Sequence, residues 1–401
     1  MRYGICMSSK SIWWWQTKIS VRRIYTKKWD LPCINNNRKI KYYAMNYKLY
    51  FTLDYEIHGN GDGDPMALMV EPTYRLMSLL EKYGQRLTIM ADVAEILAFK
   101  RVPSFEESVS AIEQQLRDAI VRGHDVQLHI HSSYFRSQWN GKHFDQCIEE
   151  YNMAALPMER IDEMVGEAVR YLENLLQPVK SDYKVWLFRA ANWSMMPTEN
   201  LYKVLVKYGI THDTSVYKGG CQGGNVCYDY REAYDNLLPY PASVLNINHA
   251  DASGQITEMP IYTEMRPFWA FISPMRIFRM VRAKFHKHKQ TTIKTETSAA
   301  ADKNDNRKLT IRSFFRLSPL KMDFNQVDSR RLKRMMKHVL QRGEKMDLVR
   351  LTNQEETPRP QNTINVVLIG HSKTFIPYNE QTLEPFLRWW RDRQPDCGKN
   401  R

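Results

Sequence analysis

From Lys48 onward the chain alternates apolar runs of strand length with segments of helical period, and this rhythm restricts the fold more than any other feature. "KLYFTLDYE" reads as a strand, and "VEPTYRLMSLLEKYG" follows with Tyr74, Leu76, Met77, Leu80 and Tyr83 at largely helical spacing. "RLTIMADV" is the next strand, "FEESVSAIEQQLRDAIVRG" the next helix, and "VQLHIHSSYF" the third strand. "MERIDEMVGEAVRYLENLL" leads to "VWLFRA", and "PTENLYKVLVKYG" leads to "ITHDTSV". Gly84, Gly123 and Gly209 stand where three of these helices should stop, and a residue without Cβ takes the left-handed cap there at no steric cost. Strand and helix in alternation argue for a parallel sheet with right-handed crossovers. At 401 residues, a (β/α) barrel is expected over an open sheet.

The rhythm blurs in the second half. "SVLNIN", "ITEMPIYTE" and "KLTIRSF" could be strands, and between them lie the basic amphipathic "MRIFRMVRAKFHKHK" and the polar "TTIKTETSAAADKNDN". The polar stretch lacks apolar period, and residues 284–307 are expected to form a mobile insertion. The rhythm returns with "SRRLKRMMKHVLQRG" and the buried strand "INVVLIGHSK".

A net charge of +14 suggests a nucleic-acid binder until it is located. Residues 1–44 hold ten Lys/Arg against the single acid Asp30, so +9 sits there and +5 on the rest. That segment has no helical or strand period, and we expect it to be a disordered or mis-called extension preceding a catalytic domain at 45–401. The alternative is a basic, Trp-bearing arm on a membrane surface. Nucleic acid is therefore not an expected partner. The basic segment near residue 280 is either a surface helix with a solvated cationic face or a peripheral contact with an anionic membrane. No run approaches the roughly 18 apolar residues of a spanning helix, and no apolar run of signal-peptide length opens the chain. With cysteines that show no regular spacing, reduced thiols in the cytoplasm are expected, at the inner membrane face if the basic segment docks there.

In a parallel α/β protein, ligands bind beyond the carboxyl ends of the strands, and polar residues fall there. The first strand ends with Asp54 and Glu56, the third with His129 and His131, later ones with Arg189, Asp213, and His371 with Lys373. At strand period His129 and His131 point the same way, with Cα atoms roughly 6.5–7 Å apart. That suits two imidazoles on one ion or two hydrogen-bonded core rings. Asp54 and Glu56 share a face and repel unless a cation or proton lies between them. One carboxylate with two histidines makes the three-ligand open site of a hydrolytic Zn²⁺ or similar ion; a solvated acidic loop mouth is the plainer reading. Arg189 follows a largely apolar run and needs a carboxylate partner, either Asp54 or a structural acid. His371 can donate a proton to a leaving group, with Asp213 fixing its tautomer. Asn192 and Trp193, just past Arg189, either face this rim or pack internally, and Lys373 follows His371 at it.

Together, "TLDYE", "GHDVQLHIH", "LFRAANWS", "DTSVY", "EMPIY" and "LIGHSK" resemble the polysaccharide deacetylase family, the NodB-homology domains of carbohydrate esterase family 4. The resemblance runs from about Met45 to Lys373, with the motifs in family order, and is nearest the branch found among bacterial surface-polysaccharide enzymes. It implies a distorted barrel of seven (β/α) units and a divalent metal, usually zinc, that hydrolyses N-acetyl or O-acyl groups on a carbohydrate. It makes Asp54 the catalytic base, His129 a metal ligand, Arg189 the residue orienting the base, and His371 the general acid; with the carbohydrate it implies, Asn192 and Trp193 could contact the sugar ring and Lys373 a phosphate or an acidic sugar. Two departures stand out. The family commonly has adjacent aspartates, so the acidic metal ligand here would be Glu56. Its second metal histidine usually lies four residues after the first, where this chain has Ser133, so His131 must serve. Some relatives with an altered first motif hydrolyse non-sugar amides without a metal, and a non-catalytic glycan-binding relative is a further alternative.

Overall fold

The protein is described from a computed structural model covering residues 46–57, 59, 61–271, 317–352 and 363–394. The extension at 1–44, the basic segment near residue 280 and the 284–307 insertion lie outside the described residues.

Eight strands form one curled sheet. In chain order they are β1 (Asn46–Tyr55), β2 (Leu87–Asp92), β3 (Asp125–Ile130), β4 (Leu187–Ala190), β5 (His212–Asp213), β6 (Tyr240–Ala242), β7 (Ile256–Glu258) and, after two strands of a separate pair, β10 (Thr363–His371). That pair is β8 (Thr263–Pro267) with β9 (Leu317–Lys321), joined antiparallel. The sheet runs β6-β7-β5-β4-β3-β2-β1-β10, parallel throughout except for the β6–β7 edge. Beyond β10, parallel bridges from Ile261 to Val367 and from Asp323 to Ile369 continue the curl, so the architecture is an α/β barrel of a distorted kind.

Helices α1 (Glu71–Lys82), α3 (Glu106–Val121), α4 (Met158–Leu176) and α5 (Thr198–Lys207) are the crossovers expected from period. Each buries its apolar stripe against the sheet: α4, for example, places Ile161, Val165, Leu172 and Leu176 at zero exposure. Helices α6 (Ser329–Thr352) and α7 (Pro377–Arg391) flank the last strand. Helix α2 (Val93–Lys100) escapes a period-based reading because "VAEILAFK" is apolar nearly all round, with six of its eight residues buried. "SVLNIN" is a turn rather than a strand, and the neighbouring strand is Tyr240–Ala242.

Alternation on β1 divides the two sides of the sheet. Tyr55 reaches outward to the helices, donating from its hydroxyl to Gln115 Oε1 at 2.7 Å, whereas Thr52 and Asp54 turn inward to Arg189. Strand register then levels the polar residues. Asp54 pairs with His371 across β1–β10, and Asp92, His129 and Arg189 share one row across β2–β3–β4.

Candidate metal and catalytic site

Glu56, one residue beyond β1, is buried at 4 % exposure. Its Oε2 lies 2.9 Å from His131 Nε2 and 3.5 Å from His129 Nε2. A tetrahedral ion with bonds near 2.0–2.1 Å separates its ligand atoms by about 3.3–3.4 Å, a spacing that the 2.9 and 3.5 Å separations from Glu56 Oε2 bracket. They form a group of donors all within 4.8 Å of one another. His129 Nδ1 lies 2.8 Å from the carbonyl oxygen of Arg189, a contact in which the ring donates and Nε2 keeps its lone pair. Among the described residues, Glu56 Oε2 is a buried oxygen with no aligned hydrogen bond, despite the nearby imidazole. Lone pairs converging in this way need a positive charge between them. Burial opposes charging His129, yet the carboxylates of Glu56 and Asp54 raise its pKa to about 9, so a proton takes up the role when no cation does. The donor set fits a divalent ion of the zinc type.

The other oxygen of Glu56 is engaged differently. Lys373 Nζ donates to Glu56 Oε1 at 2.9 Å and to the Ile57 carbonyl at 3.0 Å. The partners that the structure gives Lys373 are therefore intramolecular, the Glu56 carboxylate and the Ile57 carbonyl. A mostly buried ammonium needs a carboxylate close by, and Glu56 is that partner. Burial pushes Glu56 upward, but Lys373 and then His131 hold its carboxyl well below the usual range.

Asp54, 3 % exposed, receives Arg189 Nη1 on Oδ1 at 2.6 Å and faces His371 Nε2 from Oδ2 at 3.4 Å. Arg189 is fully buried, and its remaining donors go to Thr52 Oγ1 at 2.8 Å, the Thr214 carbonyl at 3.0 Å and Thr214 Oγ1 at 3.4 Å. Burial alone would raise the Asp54 pKa; Arg189, followed by His371 and His129, brings it below its ordinary value. His371 is lowered by burial, with Asp54 opposing. Its backbone is gripped on both sides by Asn325, whose Oδ1 accepts from His371 N at 3.0 Å and whose Nδ2 donates to His371 O at 3.1 Å.

Asp213 does not reach His371. Its oxygens accept from Ser215 N at 3.0 Å and Ser215 Oγ at 2.8 Å, and across β5–β7 it faces Glu258. The carboxylate beside His371 is Asp54 instead, because β1 adjoins β10 whereas β5 lies on the far side of β4. Among the described residues Glu258 Oε2 has no hydrogen-bond partner, and burial and then Asp213 raise the Glu258 pKa well above its ordinary value, which favours a protonated form able to donate to Asp213.

Asn192 and Trp193 follow Arg189 with φ of 50° and 66°, a left-handed pair without glycine. Such residues cost of order 1–3 kcal/mol each and persist where the surroundings fix them. The Trp193 ring stands edge-on to Tyr217 at 5.5 Å and to His371 at 6.4 Å, with Lys321 Nζ 4.0 Å from its centroid. Trp193 therefore walls the His371 side of the site.

Sequence reasoning overlooked Asp92 and Asn325. Asp92 ends β2 and was open to the same strand-end rule. It is fully buried, accepts from His131 N on Oδ1 at 3.0 Å, and sets Oδ2 4.0 Å from His131 Nδ1. Asn325 carries no signal, because its contact with His371 spans 46 residues of chain.

No family model and no curated protein matches the chain. Among solved structures, a probable polysaccharide deacetylase from Pseudomonas aeruginosa PAO1 is 14 % identical over 87 % of this chain and 86 % of its own, with a TM-score of 0.42. Puue allantoinase is 13 % identical over 87 % and 86 %, with a TM-score of 0.40. A family 4 carbohydrate esterase from Streptomyces lividans, solved with acetate, is 17 % identical over 43 % and 63 %, with a TM-score of 0.26. At these identities the likeness concerns the fold alone. The α/β barrel described above rests on the topology of its own curled parallel sheet, with the motif-bearing segments at the carboxyl ends of the strands.

Proposed function

We propose that the protein is a metal-dependent hydrolase that removes N-acetyl or O-acyl groups from a sugar of a bacterial surface polysaccharide or its precursor. The observation that carries this reading is the convergence of Glu56 Oε2 with the Nε2 atoms of His129 and His131, with the Asp54–Arg189 pair and His371 alongside. A divalent ion held by Glu56, His129 and His131 would supply Lewis acidity toward the acyl oxygen and toward water. Arg189 fixes Asp54 through Oδ1 and leaves Oδ2 to take a proton from the attacking water. As the water oxygen bonds to the acyl carbon and the bond to the sugar nitrogen or oxygen breaks, His371 gives a proton to the departing group. Proton transfers of this kind contribute roughly 10²–10⁴-fold. Trp193, beside His371, would pack on the sugar and exclude water.

The test joins metal analysis to acetate release. We expect about one divalent ion per chain, and a H371A variant that keeps its ion while losing roughly 10²–10⁴-fold in acetate release from N-acetylated oligosaccharides. A metal-free amide hydrolase is favoured by one observation: Lys373 already neutralises part of the Glu56 charge. Protein that binds no ion from added Zn²⁺ yet hydrolyses a non-sugar amide would establish that second reading. Among the described residues, no helix is long and apolar enough to cross a membrane.

A further inference from the structure

Glu56 belongs to two sets of candidate donors at once. One is Glu56 with His129 and His131; the other is Asp54 and Glu56 with His371, again with donor atoms within 4.8 Å of one another. A carboxylate shared between two such sets is the usual bridge of a two-ion centre, where the ions lie about 3.5–4 Å apart. In this chain the shared carboxylate is divided. Oε2 faces the paired imidazoles, and Oε1 is taken by Lys373 Nζ at 2.9 Å. The lysine is held from a second direction by the Ile57 carbonyl at 3.0 Å, and only 19 % of its side chain is exposed. Ser372, between His371 and Lys373, fixes this turn by donating to the Glu56 carbonyl at 2.9 Å while its Oγ accepts from Glu56 N at 3.2 Å.

We propose that Lys373 is a built-in cation occupying the second half of the acidic cluster, so that the site takes one divalent ion and excludes another. This rests on the metal-binding reading above. The charges support it. Asp54 and Glu56 contribute two negative charges, which Arg189 and Lys373 balance with two positive ones. An ion beside His129 and His131 adds its charge next to Glu56 Oε2. A second ion would have to displace an ammonium that is already hydrogen-bonded twice. Without the ammonium, Oε1 is free, one positive charge is gone, and Asp54, Glu56 and His371 become an open three-donor set. Lys373 therefore acts as a positioning residue, aiming Glu56 at the histidines.

The experiment counts ions. Wild-type, K373M, K373Q and K373R chains are stripped with chelator, loaded with Zn²⁺ or Mn²⁺, dialysed, and measured by mass spectrometry and titration calorimetry, with circular dichroism confirming the fold. The expected result is one ion in the wild type and in K373R, and two in K373M and K373Q. A single ion in both neutral variants overturns the proposal, because the lysine would then not be what excludes the second. A wild-type chain that binds no ion defeats the metal-binding reading itself, and the inference falls with it.

Discussion

Removing the Arg189 guanidinium tests the interior of this barrel most severely. The side chain is fully buried and serves four acceptors: Asp54 Oδ1, Thr52 Oγ1, and the carbonyl and hydroxyl oxygens of Thr214. R189M keeps approximate length and apolar packing but leaves Asp54, itself 3 % exposed, as a buried carboxylate without its strongest partner. Breaking a buried pair from one side costs about 3–5 kcal/mol. With an m-value near 3 kcal/mol/M, the urea midpoint should fall by roughly 1–1.7 M. The D54N variant should be harmed too, since it leaves Arg189 charged and unmatched. In the double variant R189M/D54N neither charge is stranded, so its loss should be smaller than the sum of the two single losses. The coupling expected between groups in direct contact is of order 0.5–3 kcal/mol. Equilibrium urea unfolding followed by circular dichroism and fluorescence reads all four corners of this cycle. R189M within 1 kcal/mol of the wild type, or single losses that add within about 0.5 kcal/mol, would refute the claim that this pair organises the site.

Two further outcomes follow from particular contacts. Gly370 precedes His371, and a Cβ there would lie 2.1 Å from Phe324 Cε2 and 2.2 Å from Asn325 Oδ1. G370A should therefore cost about 1–3 kcal/mol by overpacking and loosen the Asn325 grip on His371, lowering both melting temperature and turnover; an unchanged melting curve would count against this packing. The Asp213–Glu258 pair predicts a pH effect. Burial raises the Glu258 pKa above its ordinary 4.5, so its contribution to stability is fully present below about pH 4.5 and is lost as pH rises through the folded value. E258Q keeps a donor toward Asp213 without ionising, so its melting temperature should fall less than that of the wild type between pH 5 and pH 9. Parallel curves for the two proteins would show that Glu258 carries no such proton.

Much of the architecture was legible because it depends on local patterns. Apolar runs ending in Asp54, His129, Arg189 and His371 mark where strands stop, and the strand-end rule groups those residues without any coordinates. Helix α2 was hidden because a segment buried on all sides has no amphipathic period to read. Asn325 was hidden because a side chain that clamps a backbone 46 residues away leaves no mark near either residue. A strand-end position places Asp213 at the rim but does not give its neighbour. Which carboxylate stands beside His371 depends on which strands are adjacent.

The sequence by itself determined the parallel α/β character, the approximate strand ends, and the residue types gathered at one rim, because period and capping act over a few residues. Only the tertiary structure decided the pairings: Glu56 with the two histidines and with Lys373, and Asp54 with Arg189 and His371. Those pairings are set by strand order, register and the curl of the sheet, which bring together residues as much as 317 positions apart. Charge sites buried this deeply take whichever opposite charge the fold sets within reach.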